Sequence, residues 1–370
     1  MTSAIETQNS TEELPIVSII IPSYNQGEFI ERTLLSVIKQ SYPNIEIIVA
    51  DGGSKDQTVK ILERYSREYS NITWFSEKDE GYADAVNKGL KLAKGSIIGI
   101  QSSDDYYNKD AINEVVTLFQ LHPETKIISG RRICLNIETK EIGRLSGRKS
   151  RWFNHWDYFE WRFLPPQDST FVKKSAIAVV GGLKKEVDWA ADTDLWMRIL
   201  SQYPGLIINR IWSFRQYHDL QRDSMSKERF GNDCRKSVEL WLNSSQFPKK
   251  LLPYANRIKS FGILRQADYY YKSNNKQKTR ELILEGLKLN PSLVFIGPCQ
   301  KYCQELNITP QKTSKYHICS FFKKLPVIGV FGKIIFNCSK NGLLSENQFP
   351  EYIDLPFDYE SNENPYWYKL

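Results

Sequence analysis

The chain has 370 residues, of which 41% are hydrophobic and 25% are charged, and its formal net charge is +7. This length allows two domains or one domain with an extension, the composition is that of a globular protein, and six cysteines exclude a disulfide framework. The modest charge, without a long Lys/Arg block, is compatible with an anionic substrate or membrane surface and gives little support for nucleic-acid binding. Residues 1–13 lack the pattern of a signal peptide, so we expect a cytoplasmic protein.

Short apolar runs alternate with segments of helical periodicity through the first third of the chain. The predicted strands are 16–21, 45–50, 72–75 and 96–101, and the predicted helices are 28–40, 54–69, 82–93 and 110–121. Such alternation is typical of βαβ units around a parallel sheet, so we predict an α/β fold. Ser54 and Gln57 have the spacing of a capping box, which predicts that the second helix begins there.

Beyond His122 the alternation is less regular. Antiparallel strands are predicted at 126–135 and 141–145, helical segments at 170–182 and 188–202, a strand at 206–212, and helices at 261–271 and 278–289. The segment Phe321–Phe336 is apolar and basic, but Pro326 and Gly329 interrupt it and it is too short to span a bilayer. It is predicted either to lie on a membrane surface or to pack in a core or an interface.

Carboxylates follow the predicted strands at two separate places. Asp51 ends the second strand before two glycines, and Asp104 and Asp105 follow the central strand. Because ligands of open α/β sheets bind at the carboxyl edge, Asp51 is predicted either to contact a ligand or to cap a helix. The adjacent pair suits a divalent cation that holds phosphate oxygens, or is a simple turn.

Two further carboxylates lie in a predicted helix. Asp192 begins a helical stretch, where the helix N-terminus would favour an ionised carboxylate, and it is also a candidate N-cap. Asp194 is the second carboxylate of this stretch and is predicted to be structural.

Four segments in this order resemble the motifs of the family 2 glycosyltransferases: Val17–Asn25, Val49–Asp56, Glu77–Gly89 and Ser103–Asp105. The resemblance covers about residues 15–220. It implies the A-type glycosyltransferase fold, which is a Rossmann-like and mostly parallel sheet flanked by helices, here followed by a C-terminal helical extension. The implied boundaries are a disordered lead over 1–14, a nucleotide-sugar-binding catalytic domain over 15–223, a helical extension over 224–340 and an acidic tail over 341–370.

The resemblance also implies a role for individual residues. The nucleotide, usually uridine diphosphate, would be held by Pro22, Ser23, Tyr24, Asn25, Asp51, Gly52, Ser54 and Asp104. The donor sugar would lie near Asp79, Glu80, Gly81 and Asp84. Asp105 and His218 would bind Mn²⁺ or Mg²⁺ at the diphosphate, and Asp192 would take the proton of the acceptor. Ser103 occupies the first place of the family's Asp-x-Asp motif, so this chain has one carboxylate fewer there.

The implied activity is inverting, metal-dependent transfer of a hexose from a nucleoside diphosphosugar to a saccharide or lipid-linked acceptor, in polysaccharide or cell-envelope synthesis. A cation stabilises the charged diphosphate leaving group, and a carboxylate deprotonates the attacking hydroxyl, so the residue types suit the reaction. Nucleic acid is not an expected partner, whereas peripheral contact with the cytoplasmic face of a membrane is compatible with the charge and with Phe321–Phe336.

Three other functions compete with this interpretation. A nucleotidyltransferase would need a Gly-rich, basic loop after the first strand, which Pro22–Gly27 does not provide. A glycoside hydrolase needs two carboxylates at a glycosidic bond, which leaves Asp51 and the Asp104/Asp105 pair without a purpose. A non-catalytic binding scaffold on the same fold is the main alternative.

Overall fold

A computed structural model describes residues 14–136, 150–160, 162–218, 221 and 226–308. They divide into two units: the first unit contains 14–136 and 165–218, and the second unit contains 150–160, 162–164, 221 and 226–308. The segment 150–164 therefore belongs to the second unit, although the sequence placed it within one continuous domain. The lead over 1–13, the predicted strand 141–145, the segment Phe321–Phe336 and the tail 341–370 lie outside the described residues.

The first unit begins with the predicted alternation of strands and helices. Its elements are β1 (Val17–Ser23), α1 (Ile30–Ile38), β2 (Ile45–Asp51), α2 (Thr58–Glu68), β3 (Ile72–Ser76), α3 (Tyr82–Leu92), β4 (Ile97–Ile100), β5 (Tyr106–Tyr107), α4 (Ala111–Leu121) and β6 (Ile127–Asn136). After β7 (Arg151–Phe153) and α5 (His155–Phe159) of the second unit, the first unit continues with β8 (Thr170–Lys173), α6 (Lys174–Val180), α7 (Ala191–Gln202) and β9 (Gly205–Tyr217). Short 3₁₀ helices at Gln167–Ser169 and Lys185–Ala190 precede β8 and α7.

The strands of the first unit form one sheet in the order β3-β2-β1-β4-β8-β6-β9-β5. β1 pairs in parallel with β2 and β4, and β2 pairs in parallel with β3. β8 lies antiparallel between β4 and β6. The predicted helix 170–182 was therefore wrong in its first four residues, because the apolar pair Phe171 and Val172 is fully buried between two strands and the helix begins only at Lys174.

The parallel strands are covered on both faces. Consecutive residues of β1 from Val17 to Ile21 are buried, and β4 is buried throughout, so side chains that point to either side of the sheet pack in a core. In the pairing register Ser23 lies opposite Asp51, and Ile20 lies opposite Ile100. The loops that follow β1, β2 and β4 therefore emerge side by side at one edge of the sheet.

The second unit is mainly helical. Besides β7 and α5 it contains α8 (Lys227–Leu242), α9 (Ala255–Lys272), α10 (Lys276–Leu289) and α11 (Gly297–Glu305). α9 packs against α8 and α10, which confirms the predicted hairpin of two helices. Within the described residues, no helix is both long and apolar enough to cross a membrane.

Candidate functional site

The loops that follow β1 and β2 are tied together by backbone-to-side-chain hydrogen bonds. Asn25, in the left-handed region at φ 52°, donates its backbone N–H to Ser54 Oγ at 2.7 Å and accepts the N–H of Lys55 on Oδ1 at 2.9 Å. Gln26 donates its N–H to Thr58 Oγ1 at 2.9 Å. The predicted nucleotide-binding residues of both loops are thus held in one surface at the carboxyl edge of the sheet.

Asp51 organises the second of these loops. Its side chain is buried, and Oδ2 accepts the N–H groups of Gly53 and Ser54 at 3.1 and 2.9 Å and the hydroxyl of Ser76 at 2.6 Å. The hydroxyl of Ser54 donates to Oδ1. The predicted capping box was therefore wrong, because Ser54 is engaged with Asp51 and α2 begins at Thr58.

The loop between β3 and α3 packs directly on the loop that follows β2. Asp79 Oδ1 accepts the N–H of Gly81 at 2.9 Å, and burial raises the pKa of the Asp79 carboxyl. A Cβ on Gly52 would lie 2.7 Å from Asp79 Oδ2, so only glycine allows this approach. The predicted nucleotide and donor-sugar residues are therefore neighbours in space.

Asp84 lies in the first turn of α3 and is paired with two lysines. Its Oδ1 is 2.7 Å from Lys185 Nζ, and its Oδ2 is 3.3 Å from Lys88 Nζ. The bond from Lys185 lowers the pKa of Asp84 to about 2, so this carboxylate is ionised at neutral pH. Glu80 is mostly exposed and lies 3.5 Å from the same Lys185, which the sequence had not singled out.

Asp104 and His218 meet at the same edge of the sheet. His218 Nε2 lies 3.0 Å from Asp104 Oδ2, and the imidazole, whose side chain is 5% exposed, stacks on Phe29 with ring centroids 4.5 Å apart. Phe29 fixes the plane of the imidazole. No sequence signal had predicted this contact. The structure thus joins His218 to Asp104, whereas the sequence had assigned the metal to His218 and Asp105.

Asp105 points away from this pair and anchors the loop. Its side chain is buried, and Oδ1 accepts the backbone N–H of Gln216 at 3.0 Å. Burial, with the charge of Asp104, raises the pKa of the Asp105 carboxyl well above its usual value. Thr33 holds the loop from the other side, because its hydroxyl lies 2.8 and 2.7 Å from the carbonyls of Ser103 and Asp105.

These residues can offer two ligands to a divalent cation. No group of three or more His, Cys, Asp or Glu side chains within the described ranges is placed to hold a metal. The Asp104 carboxylate and the His218 imidazole can nevertheless contribute two donors, and cations such as Mg²⁺ commonly complete their shell with water and substrate phosphates. A site of this kind fits the pair only when a diphosphate is also bound.

Asp192 lies in the first turn of α7 and is half-buried. The N-cap of this helix is Ala190, so the alternative role of Asp192 as N-cap does not apply. The hydroxyl of Thr193 lies 3.1 Å from Asp192 Oδ1, where it can donate, and the N-terminal end of the helix favours the ionised carboxylate. Both features suit a group that accepts a proton.

Asp194 is structural, as predicted. It and Arg198 are fully buried, and Arg198 Nε donates to Asp194 Oδ2 at 2.7 Å. The same guanidinium donates to the carbonyls of Val180, Gly181 and Gly182 at 2.7 to 2.9 Å. This arrangement fastens α7 to the end of α6 and leaves Asp194 without access to an acceptor.

Replacing Arg198 by methionine is expected to destabilise the chain by about 3–5 kcal/mol, because it leaves the Asp194 carboxylate buried without its cation. Urea unfolding of both proteins measures the loss as a lower midpoint with an unchanged slope. Arg64→Met is the matched control, since Arg64 pairs with Glu31 in solvent and such pairs contribute about 0–1 kcal/mol. Equal losses in the two variants would contradict the structural role of the buried pair.

Comparison with known proteins places this site in context. Residues 18–184 match the family model described as Glycosyl transferase family 2. The chain is 26% identical to chondroitin synthase of Escherichia coli over 211 residues, which are 56% of this chain and 30% of that protein. It is 33% identical to the glycosyltransferase GlyG of Streptococcus pneumoniae over 106 residues, which are 28% of this chain and 34% of that protein. The chain thus matches about a third of the length of these relatives.

Solved structures show the same fold. TarS 1-349 of S. aureus in complex with UDP-GlcNAc is similar with a TM-score of 0.58 and 16% identity, over 74% of this chain and 81% of that chain. The mannosyltransferase PcManGT from Pyrobaculum calidifontis, in complex with GDP-Man and Mn²⁺, is similar with a TM-score of 0.50 and 18% identity, over 79% of this chain and 84% of that chain. These likenesses confirm the predicted A-type glycosyltransferase fold.

Proposed function

Because residues 18–184 match the family model of glycosyl transferase family 2, we propose that this chain transfers a sugar from a nucleoside diphosphosugar to a saccharide or lipid-linked acceptor. The observation that carries the proposal is the pairing of Asp104 with His218 at the carboxyl edge of the sheet. It brings two donor groups from separate parts of the chain to the edge at which ligands of α/β sheets bind.

The nucleotide occupies the surface formed by the loops after β1 and β2. Asp51 and the loop Pro22–Asn25 hold the base, and Gly52 lets the backbone approach the ligand. Asp104 lies on the diphosphate side of this surface. The bound UDP-GlcNAc of the TarS complex favours uridine as the nucleoside, whereas the GDP-Man of the PcManGT complex makes guanosine the alternative to test.

Asp104 and His218 would hold a divalent cation, Mn²⁺ or Mg²⁺, with diphosphate oxygens completing its shell. When bound, such a cation would stabilise the charge of the leaving diphosphate. Asp105 has a structural part in this proposal, because its buried carboxylate accepts the N–H of Gln216. Phe29 holds the plane of the His218 imidazole, and the fold keeps Asp104 at the edge of the sheet.

Asp192 accepts the proton of the attacking acceptor hydroxyl. An ionised carboxylate suits a general base. The deprotonated acceptor oxygen attacks the sugar carbon on the side opposite the diphosphate, the bond to the diphosphate breaks, and the configuration of that carbon is inverted. Asp79, Glu80, Gly81 and Asp84 surround the donor sugar. The acceptor belongs to a surface polysaccharide or glycolipid, and the enzyme works at the cytoplasmic face of the membrane.

The proposal is tested by turnover of a panel of uridine, guanosine and thymidine diphosphosugars with Mn²⁺ or Mg²⁺. We expect one nucleoside class to release its diphosphate slowly to water and faster with the correct acceptor. If a folded protein binds a nucleoside diphosphate but releases the diphosphate from none of the donors, the result would instead support the non-catalytic scaffold.

A further inference from the structure

A short 3₁₀ helix, Lys185–Ala190, directly precedes the helix that carries Asp192. Two of its charged side chains, Lys185 and Asp188, reach the loop that surrounds the donor sugar. Neither belongs to the residues that the sequence predicted, and neither has a role in the function proposed above. Their contacts connect the donor side of the site with the proton acceptor.

Asp188 accepts a hydrogen bond from the first turn of α3. The backbone N–H of Ala83 donates to Asp188 Oδ1 at 2.6 Å. The first N–H groups of a helix have no partner within the helix, and the N-cap of α3 is Gly81, which has no side chain to provide one. A carboxylate from a distant part of the chain therefore caps α3, and the positive end of the helix favours its charge.

Gly81 is shaped to this contact. Its φ of 120° lies in the region that L side chains rarely adopt, and a Cβ there would lie 2.6 Å from Asp188 Oδ2. Gly81 also donates its N–H to Asp79, which packs on Gly52 of the nucleotide loop. A continuous series of contacts thus runs from the nucleotide loop to Asp188, four residues before Asp192.

Lys185 makes a second connection to the same loop. Its Nζ is 2.7 Å from Asp84 Oδ1 and 3.5 Å from Glu80 Oε2. Lys185 is exposed, so its ion pairs are weaker than the partly buried hydrogen bond of Asp188. The two contacts leave the 3₁₀ helix little freedom to slide along α3.

We propose that Asp188 is a positioning residue that sets the distance between the Asp192 carboxylate and the donor sugar, with Lys185 as a weaker second tether. This inference rests on the function proposed above. A proton acceptor has to lie within hydrogen-bond reach of the attacking hydroxyl, and a misplacement of about 1 Å can lower a rate about 100-fold.

The first test compares Asp188→Ala with Asp188→Asn. The rate of each variant is divided by its concentration of nucleotide-binding sites, so that unfolded protein does not lower the measured kcat. We expect Asp188→Ala to lower kcat about 30-fold while the Kd for the nucleoside diphosphate stays within about twofold. Asp188→Asn should stay within about threefold of wild type, because its amide oxygen can still accept the N–H of Ala83. If Asp188→Ala does not fold, Lys185→Met is expected to lower kcat about threefold to tenfold without changing that Kd.

The second test is a double variant with Asp192→Asn. A residue that acts through Asp192 loses its effect once Asp192 is replaced, so Asp188→Ala should change the residual rate less than twofold in that background. Wild-type kcat in both Asp188→Ala and Lys185→Met, or losses that multiply in the double variant, would overturn the inference. If the wild-type chain turns over no donor, the proposed function itself is overturned. If the wild type is active but substitution of Asp188 does not change kcat, only this inference is overturned.

Discussion

Replacing Asp192 by asparagine is expected to lower the rate of sugar transfer about 1000-fold while leaving the affinity for the nucleoside diphosphosugar within about threefold of wild type. The amide cannot take the proton of the acceptor hydroxyl, and positioned general bases contribute about 10²–10⁴-fold to a rate. The nucleotide surface lies on other loops, after β1, β2 and β4, so donor binding should survive. Steady-state rates with the identified donor and acceptor measure the first quantity, and calorimetric titration measures the second.

Glu63→Gln serves as the matched control for this substitution. It makes the same change from carboxylate to amide on α2, where the side chain is largely exposed. Its transfer rate should equal that of wild type. Asp192→Asn with a rate within tenfold of wild type would assign the proton transfer to a different group, and a parallel loss of donor affinity would place Asp192 in the donor site instead.

Asp104→Ala is expected to reduce the affinity for the nucleoside diphosphate in the presence of Mn²⁺ about 100-fold. The substitution removes one of two protein ligands and leaves the buried His218 imidazole without its partner. Without divalent cation, wild type and variant should bind the nucleotide almost equally. Titration of the nucleotide with Mn²⁺ and again after EDTA therefore isolates the contribution of the metal.

The variant Asp105→Asn distinguishes the two proposed metal ligands, which are Asp104 on the structure and Asp105 on the sequence. Its amide oxygen can still accept the N–H of Gln216. We expect the Mn²⁺ effect on nucleotide binding to persist in Asp105→Asn. If this variant loses the effect and Asp104→Ala retains it, Asp105 is the metal ligand after all.

The sequence was informative where chain neighbours determine the structure. The strands β1, β2 and β4 are nearly continuous apolar runs because both faces of a parallel sheet are buried, and their ends predicted the edge at which Asp51 and Asp104 lie. The strand β8 was missed because four residues, Thr170–Lys173, carry too short a pattern and run directly into a helix.

The division of roles at the site depends on contacts between distant residues. β4 ends at Ile100, so strand alternation no longer indicates which of Asp104 and Asp105 faces the edge. The two side chains are instead oriented by distant residues, because Asp105 accepts the N–H of Gln216 in β9 and Asp104 pairs with His218 just after it. Asp188 was predicted only as the first residue of the helical segment 188–202, since the N–H that it accepts belongs to Ala83, 105 positions earlier. The glycine at position 81 was the one local signal of that contact.

The most direct test of the central claim is the thermal stability of the full chain with UDP, GDP and dTDP, each with Mn²⁺ and with EDTA. A ligand that binds only the folded state raises the melting temperature. We predict that one nucleoside diphosphate, with UDP favoured, raises it in the presence of Mn²⁺ and much less with EDTA. A folded protein whose melting temperature responds to none of the three, with or without the metal, would contradict the assignment of this sheet edge as a nucleotide-sugar site.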